Sequence, residues 1–511
     1  MSKWTVAALS LLQFALACAA GPVLAQQAFI PAGKALDYRM IDSDTGAELW
    51  REKVWRSADH AVPSQWSRAV FPDGDWTLSQ CVQGNGSSHP ATRRLAVTVN
   101  ASGRAVESEF DTFDSAYYPF LHRPLPAQPM EPAECFTANG LDYAALQRGE
   151  DTSLYIWLNE AIFFRLIFRI TGKESVSVPA GSFDALKVRV KVDMPTFFPN
   201  LPAWAADLIG VMVPDFYAWV VATDRGDFQM VRQTGFTTPG HKHTMRELLG
   251  TSDLPAVAPS ELALLHAAGG ARAQPGAVVD NTGTFNIGDL RGRVVMSTAK
   301  EAAGDLLVVR TQFSDGLAIE AHSLINQSSS PKTAYTEQRT YARDGSLVRR
   351  RHLEFRADAF PMGLEKNLPD DLYAGSFTLA EVFPGVRPQA DETVHLHVLG
   401  FDGQVNELAI WRAGDDASPR DASPVDGVGA LHLKLKPIVD LPVILKPLKY
   451  FLIPTLDVYL QDAPPYRLLE FTGPLGPPGS APAHFVADAR LQAPPQAQLQ
   501  AASPDGQPSG K

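Results

Sequence analysis

The chain has few cysteines, no excess of positive charge and no second long apolar run, and each shortage narrows what it can be. Of three cysteines in 511 residues, Cys18 lies in the N-terminal apolar stretch. Cys81 and Cys135 remain, and in an oxidising compartment two cysteines in one domain read as a candidate disulfide. The formal net charge of −11 argues against a nucleic-acid binder, which would carry a clustered basic face. No Gly-x-Ser-x-Gly elbow, phosphate loop, His-Glu-x-x-His or Cys-x-x-Cys occurs. Enzymatic function therefore finds no support in motifs, and no cofactor is implied.

Lys3 precedes the apolar run Trp4 to Ala20, and Val23-Leu24-Ala25 offers the small-residue pattern of a cleavage site before Gln26. Residues 1–25 read as a secretory signal peptide, because the apolar core is too short to span a bilayer and no further span follows. Ala15-Leu16-Ala17-Cys18 loosely resembles a lipobox, which keeps an outer-membrane lipoprotein anchored through Cys18 as the minor alternative.

What the chain does have is internal echo, and a repeat sought first prevents a wrong whole-fold reading. Val192-Asp193-Met194-Pro195 leads through an apolar passage to Val213-Pro214, an aromatic strand, and Met230 to Gly235. Val439-Asp440-Leu441-Pro442 leads likewise to Ile453-Pro454, Val458-Tyr459, and Leu469 to Gly473. Asp44-Thr45-Gly46 then Asp73-Gly74 are matched with Ser314-Asp315-Gly316 then Asp344-Gly345.

Two domains follow: 32–238 and 284–473, joined by a linker at 239–283. A Pro/Ala/Gln-rich tail at 474–511 lacks periodicity and reads as disordered. Alternating segments such as Leu36–Met40, Arg94–Val99 and Val394–Leu399 read as strands. Phe164 to Ile170 reads as a strand after a short helix or turn. Ser260 to Ala268 in the linker reads as a helix capped by its serine. The fold class is mainly β (α+β): two tandem curved antiparallel sheets, each half-barrel-like with helices on the concave face.

Gly172-Lys173-Glu174 followed by Pro179-Ala180-Gly181-Ser182-Phe183-Asp184-Ala185-Leu186-Lys187-Val188 resembles the envelope proteins grouped as domain of unknown function 3108. Asp227 to Arg232 looks like that family's closing strand. The match covers about half of the first repeat, and the second lacks the Pro-Ala-Gly-Phe turn. The family is similar in turn to bacterial lipoprotein carriers, in which a curved sheet wraps helices around an apolar cavity. The resemblance, with the signal peptide, implies the periplasm of a Gram-negative bacterium.

Asp44-Thr45-Gly46 and Asp315-Gly316 superficially match an aspartic-protease dyad, but they sit in polar turn contexts. His395-Leu396-His397 places two imidazoles on one strand face without a recognisable third ligand, and His241-Lys242-His243 is similar, so no metal is expected. The duplicated apolar passages are the candidate ligand-binding lining: Phe197, Phe198, Trp204, Leu208, Met212, Tyr217 and Trp219, with Leu445, Leu448, Phe451 and Tyr459 in the second copy. Each passage reads either as core or as a helix over an apolar cavity or against a membrane. The functional expectation is a non-enzymatic periplasmic protein binding a lipid or other hydrophobic ligand in an apolar concavity, with peripheral membrane contact. The alternative is a scaffold for another envelope protein, its sheets packed solid; a hydrolase is a weak third.

Overall fold

Glycine hairpins punctuate a chain of alternating apolar and polar residues, and a computed structural model of the protein resolves the runs between them into strands. The structure describes residues 30–31, 33–57, 64–83, 92–113, 126, 130–135, 141–159, 162–197, 202–212, 215–222, 228–236, 243–268, 278–287, 290–302, 304–325, 332–355, 371–374, 386–399, 405–414, 419–422, 429–438, 455–463, 466–474 and 482–488.

The first half contains β1 (Lys34–Asp42), β2 (Glu48–Arg56), β3 (Ser64–Val70), β4 (Trp76–Gln83), β5 (Thr92–Val99), β6 (Ala105–Phe113) and β7 (Met130–Pro132). It continues with β8 (Thr152–Asn159), β9 (Ile162–Val178), β10 (Gly181–Val192), β11 (Phe216–Ala222), β12 (Phe228–Phe236) and β13 (His243–Asp253). The second half contains β14 (Val278–Ile287), β15 (Leu290–Glu301), β16 (Gly304–Phe313), β17 (Ala318–Ile325), β18 (Thr333–Tyr341), β19 (Leu347–Glu354) and β20 (Leu372–Ala374). It ends with β21 (Thr393–Leu399), β22 (Val405–Arg412), β23 (Ala430–Pro437), β24 (Leu456–Gln461), β25 (Leu468–Pro474) and β26 (Pro482–Ala487). Four α-helices are described: α1 (Tyr143–Gln147), α2 (Met194–Phe197), α3 (Ala203–Met212) and α4 (Pro259–Ala267).

The protein is mainly β, and hydrogen bonds join the strands among the described residues into a single 26-stranded sheet. From one edge the order is β7-β8-β9-β10-β11-β12-β13-β1-β2-β3-β4-β5-β6. Strand β6 then pairs with β19. From there the order is β19-β18-β17-β16-β15-β14-β26-β25-β24-β23-β22-β21-β20. Strands β14 to β26 thus follow the neighbour relations of β1 to β13, and β6 and β19 occupy the same place in the two series. The two expected sheets are one, joined edge to edge.

The hairpins place the halves in register, and they correct the turn matching drawn from sequence. The turn at Phe71–Asp75 joins β3 to β4, and its counterpart by strand order is Phe313–Leu317, between β16 and β17. In both, the first residue exchanges main-chain bonds with the fifth and fourth: Phe71 N to Asp75 O at 2.9 Å and Gly74 N to Phe71 O at 3.0 Å, against 2.8 and 3.0 Å for Phe313 with Leu317 and Gly316. Gly74 and Gly316 have φ of 92° and 94°, a left-handed region that side-chain-bearing residues resist. The next pair is Gly103 and Gly345, at φ 82° and 80°. Asp44-Thr45-Gly46 lies two hairpins earlier, between β1 and β2, so it is not the counterpart of Ser314-Asp315-Gly316.

Other segments depart from their sequence readings for identifiable reasons. Thr152 to Asn159 is strand β8 instead of a helix or turn, because its Leu154 and Ile156 pair across from Leu166 and Phe164 and are buried. Within the segment read as a linker, β13 pairs with both β1 and β12. Strand β26, within the segment read as a tail, pairs with β14 and β25. Helix α4 starts at Pro259, not behind a serine cap: the Glu261 carboxylate accepts the Ala258 main-chain N–H at 3.1 Å. Residues 439–454 lie outside the described residues.

Cores form on both faces. Leu265 and Ala268, at the end of α4, bury against Ala35, Trp55, Leu78, Leu95, Val97 and Val99 of β1, β2, β4 and β5. In the second half, Phe285, Val309, Phe313, Leu396, Ile410, Leu433, Leu435 and Phe485 belong to one buried cluster. Its members come from β14 to β17 and from β21 to β26, so the sheet curls until distant strands pack face to face. Cys81 in β4 is disulfide-bonded to Cys135, just beyond edge strand β7, with Cα atoms 5.7 Å apart.

Candidate functional site

The residues proposed as an apolar lining do not share one environment. Phe197, at the end of α2, is buried with its ring 5.1 Å from that of Phe164 in β9. Trp204 stands at the start of α3 with 61% of its surface exposed, while the adjacent Ala205 and Ala206 are buried. Tyr459 is buried beneath a stacked His432 ring 4.3 Å away. Phe198, Leu445, Leu448 and Phe451, and the side chains of Leu208 and Met212, lie outside the described residues.

Tyr217 and Trp219 alternate onto one face of β11, where they pack with an apolar cluster that includes Leu36, Val176 and Met230 and also meet charged groups. The Lys187 ammonium sits 4.9 Å from the Tyr217 ring centre and 5.3 Å from that of Trp219, within cation–π range. Trp219 Nε1 donates to Glu174 Oε2 at 2.8 Å, and Lys187 pairs with the other oxygen at 2.9 Å. The Trp219 and Lys187 bonds together draw the Glu174 carboxyl below its ordinary range. Glu174 and Lys187 both belong to the stretch flanking the Pro-Ala-Gly turn. A clamp of this kind fixes strands to one another and leaves the indole little freedom to receive a ligand.

The other feature built by the fold is the junction of β6 with β19. Strand β6 presents Glu107, Glu109 and Asp111 at alternating positions, and β19 faces them with Arg349 and Arg351. Arg349 Nε lies 2.9 Å from Asp111 Oδ1, and Arg351 lies 3.0 Å from Glu109 and 3.2 Å from Glu107. Arg94 of β5 adds a further contact to Glu109. Burial penalises the Glu109 charge, but Arg94 and Arg351 outweigh it and hold the group at about 2. For Glu107, burial and then the neighbouring Glu109 push the other way, upward.

On the opposite face, one cross-strand row runs from Val97 through Ser108, His352 and Glu337 to His322. It begins in the apolar bed of α4 and ends among buried charges. Glu337 Oε2 receives Arg350 at 2.7 Å and His352 at 3.1 Å, and His352 Nε2 reaches Glu354 at 3.2 Å. Arg104, from the first half, closes the chain on Glu354 at 2.9 Å. Arg350 also donates to the main-chain oxygen of Ala268 at 2.7 Å, satisfying a carbonyl left open where α4 ends. Burial opposes the charged His352, yet Glu337 and Glu354 together raise its pKa. Glu337 is depressed far below the carboxylate range, since its His352 and Arg350 partners overcome desolvation.

Sequence reading missed this network. The alternation of acids in 107–111 and the run Arg349-Arg350-Arg351 were visible as charge, but nothing local says that they meet. The two imidazoles at 395 and 397 are each taken by a separate carboxylate, Glu407 at 2.7 Å and Asp371 at 2.8 Å. Among the described residues no helix is long and apolar enough to cross a membrane.

No family model and no curated protein matches the sequence, so the resemblance to domain of unknown function 3108 rests on its quoted motif. Among solved structures, the chain is similar to the β-barrel-like protein of domain of unknown function 1849 from Brucella abortus. Identity is 10%, over 43% of this chain and 97% of that one, with a TM-score of 0.27. It is also similar to a chain of the MucA/MucB complex of Pseudomonas aeruginosa, at 11% identity over 70% of this chain and 94% of that one, with a TM-score of 0.19. At those TM-scores neither likeness bears on what the chain binds.

Proposed function

We propose that the protein is a non-enzymatic periplasmic binding protein of the cell envelope, and that helix α3 is its surface for a lipid or other hydrophobic ligand. The carrying observation is Trp204, held 61% exposed on a helix whose sequence has Asp207 as its one charged residue. An indole on an otherwise apolar helix loses unfavourable water contact when it enters an acyl layer. Phe197, Trp219 and Tyr459 are committed to packing, and this moves the ligand from a concavity to the helix surface. The disulfide and the signal-like N-terminus support an oxidising compartment outside the cytoplasm. In this reading residues 30–268 and 278–488 are two diverged copies of one unit, and peripheral membrane contact falls to the first.

The experiment is sedimentation with vesicles of phosphatidylethanolamine and phosphatidylglycerol, combined with native mass spectrometry of protein purified from cells. Wild type should sediment or carry lipid, and Trp204→Asp should do neither while keeping its melting temperature. Equal behaviour of the two proteins sinks the lipid reading. A second reading, a protein-interaction scaffold, draws on the solid core of the second half, where Leu433 and Ile410 are wholly buried. Capture of a stoichiometric envelope partner by lipid-free protein would favour it.

A further inference from the structure

Glu470, in β25, is 1% exposed, and among the described residues no lysine or arginine pairs with it. Its Oε2 accepts main-chain N–H groups from Asp421 at 3.0 Å and Ala422 at 3.3 Å. Its Oε1 lies 3.2 Å from Nε2 of His484, on the adjacent strand β26. Oδ2 of Asp421 approaches the same imidazole nitrogen at 3.6 Å. Among the described residues neither carboxylate forms an ion pair with a lysine or arginine. The three side chains bring one ligand atom each to within 4.8 Å of one another.

Two chemical states satisfy such a triad. In one, a protonated His484 bridges the two carboxylates, which leaves a net charge of −1 around a buried oxygen pair. In the other, a divalent cation sits between them and the imidazole is neutral, and the charges cancel. Glu470 is the buried member of the three, and cancelling its charge lowers the cost of that burial. Geometry agrees: ligands about 2.0–2.2 Å from a tetrahedral zinc stand roughly 3.4 Å apart, close to the separations present.

We propose that Asp421, Glu470 and His484 bind one divalent transition-metal cation of the zinc class. One nitrogen and two oxygens suit such an ion, whereas calcium takes about six to eight oxygens. The two main-chain N–H groups on Oε2 fix the Glu470 carboxylate, as outer-shell partners of metal ligands do. His432 and Tyr459, stacked at 4.3 Å on neighbouring strands, flank it, with Tyr459 directly opposite Glu470. The Asp421 side chain is 62% exposed, so a fourth position faces solvent. The ion would tie residues 419–422 to β25 and β26, a role independent of the α3 surface. The ligand spacing, 421, 470 and 484, matches no local motif, which is why sequence reading passed over it.

The test uses the full chain, stripped with chelator and titrated with zinc ion alone, read by calorimetry and by melting temperature. Wild type should bind one more equivalent than His484→Ala, and its melting temperature should rise with zinc. Asp421→Asn, an exposed change, should fold normally and weaken binding by about tenfold or more. Equal stoichiometry in all three proteins overturns the proposal. So does a zinc equivalent lost with His395→Ala instead, or a stability loss in His484→Ala that is the same with and without zinc, which would mark a protonated ion pair.

Discussion

Glu109 and Arg351 are Cα partners across the junction of β6 and β19, and each lies six residues beyond the glycine of its own hairpin, Gly103 or Gly345. The same structural position therefore carries an acid in one half and a base in the other. If both halves carried the acid, like charges would face each other where the sheet is joined. Charge of opposite sign is what allows two equivalent edge strands to pair.

Replacing Arg351 tests this. Arg351→Met keeps much of the side-chain volume but strips Glu107 and Glu109 of their shared partner. Because an uncompensated, largely buried carboxylate is strongly unfavourable, we expect a loss on the order of 3 kcal/mol in urea unfolding. A change below about 0.5 kcal/mol, typical of a surface substitution, would show that the junction does not need the charge.

His352 predicts a pH dependence of definite sign. Its pKa is raised above the ordinary 6.5, so the fold prefers the protonated form. Its contribution is complete below 6.5 and disappears as pH climbs through the raised value. The difference in urea midpoint between wild type and His352→Gln should accordingly shrink as pH rises from 6 to 9. A difference that is constant, or grows, contradicts the assignment. Glu337 acts at the acid end with opposite sense: its depressed pKa gives stability above the ordinary carboxylate value that is lost as pH falls.

The disulfide closes a long loop, since Cys81 and Cys135 are 54 residues apart in sequence. Chain-entropy arithmetic puts the stabilisation from such a loop at about 4 kcal/mol. Reduction, or a Cys81→Ser/Cys135→Ser double variant, should lower the denaturation midpoint accordingly. An unchanged midpoint would mean that the junction and cores hold the first half without it.

Trp204 and Trp219 should separate cleanly. Trp219→Ala empties a buried site and should cost about 3–5 kcal/mol. Trp204→Ala removes an exposed ring and should cost under about 0.5 kcal/mol. Thermal melts of the two variants decide the matter, and comparable losses would place Trp204 in the core.

Close packing explains one echo that sequence alone could only note. Gly235 in β12 and Gly473 in β25 both follow a threonine. An added Cβ at Gly235 would lie 2.4 Å from the Phe216 ring, and at Gly473 it would lie 2.2 Å from the Leu456 side chain. Phe216 and Leu456 begin β11 and β24, which hold the same place in the two series. The echoed Thr-Gly reflects a shared need for empty space.

Period-two alternation, hairpin glycines and the Pro-Ala-Gly turn determined from sequence that the chain is mainly β and where many strands begin and end. These signals act over a few residues, through dihedral preference and the alternation of side chains across a pleat. The apolar stretch carrying α3 was legible for the same reason. Tertiary structure alone decided that β6 pairs with β19, that Trp219 meets Lys187 and Glu174, and that Asp421 and His484 converge on Glu470. Strand pairing is made by main-chain groups that every residue shares, so partners hundreds of residues apart leave no local mark. The chain must close those long loops and satisfy buried charges before the choice is made.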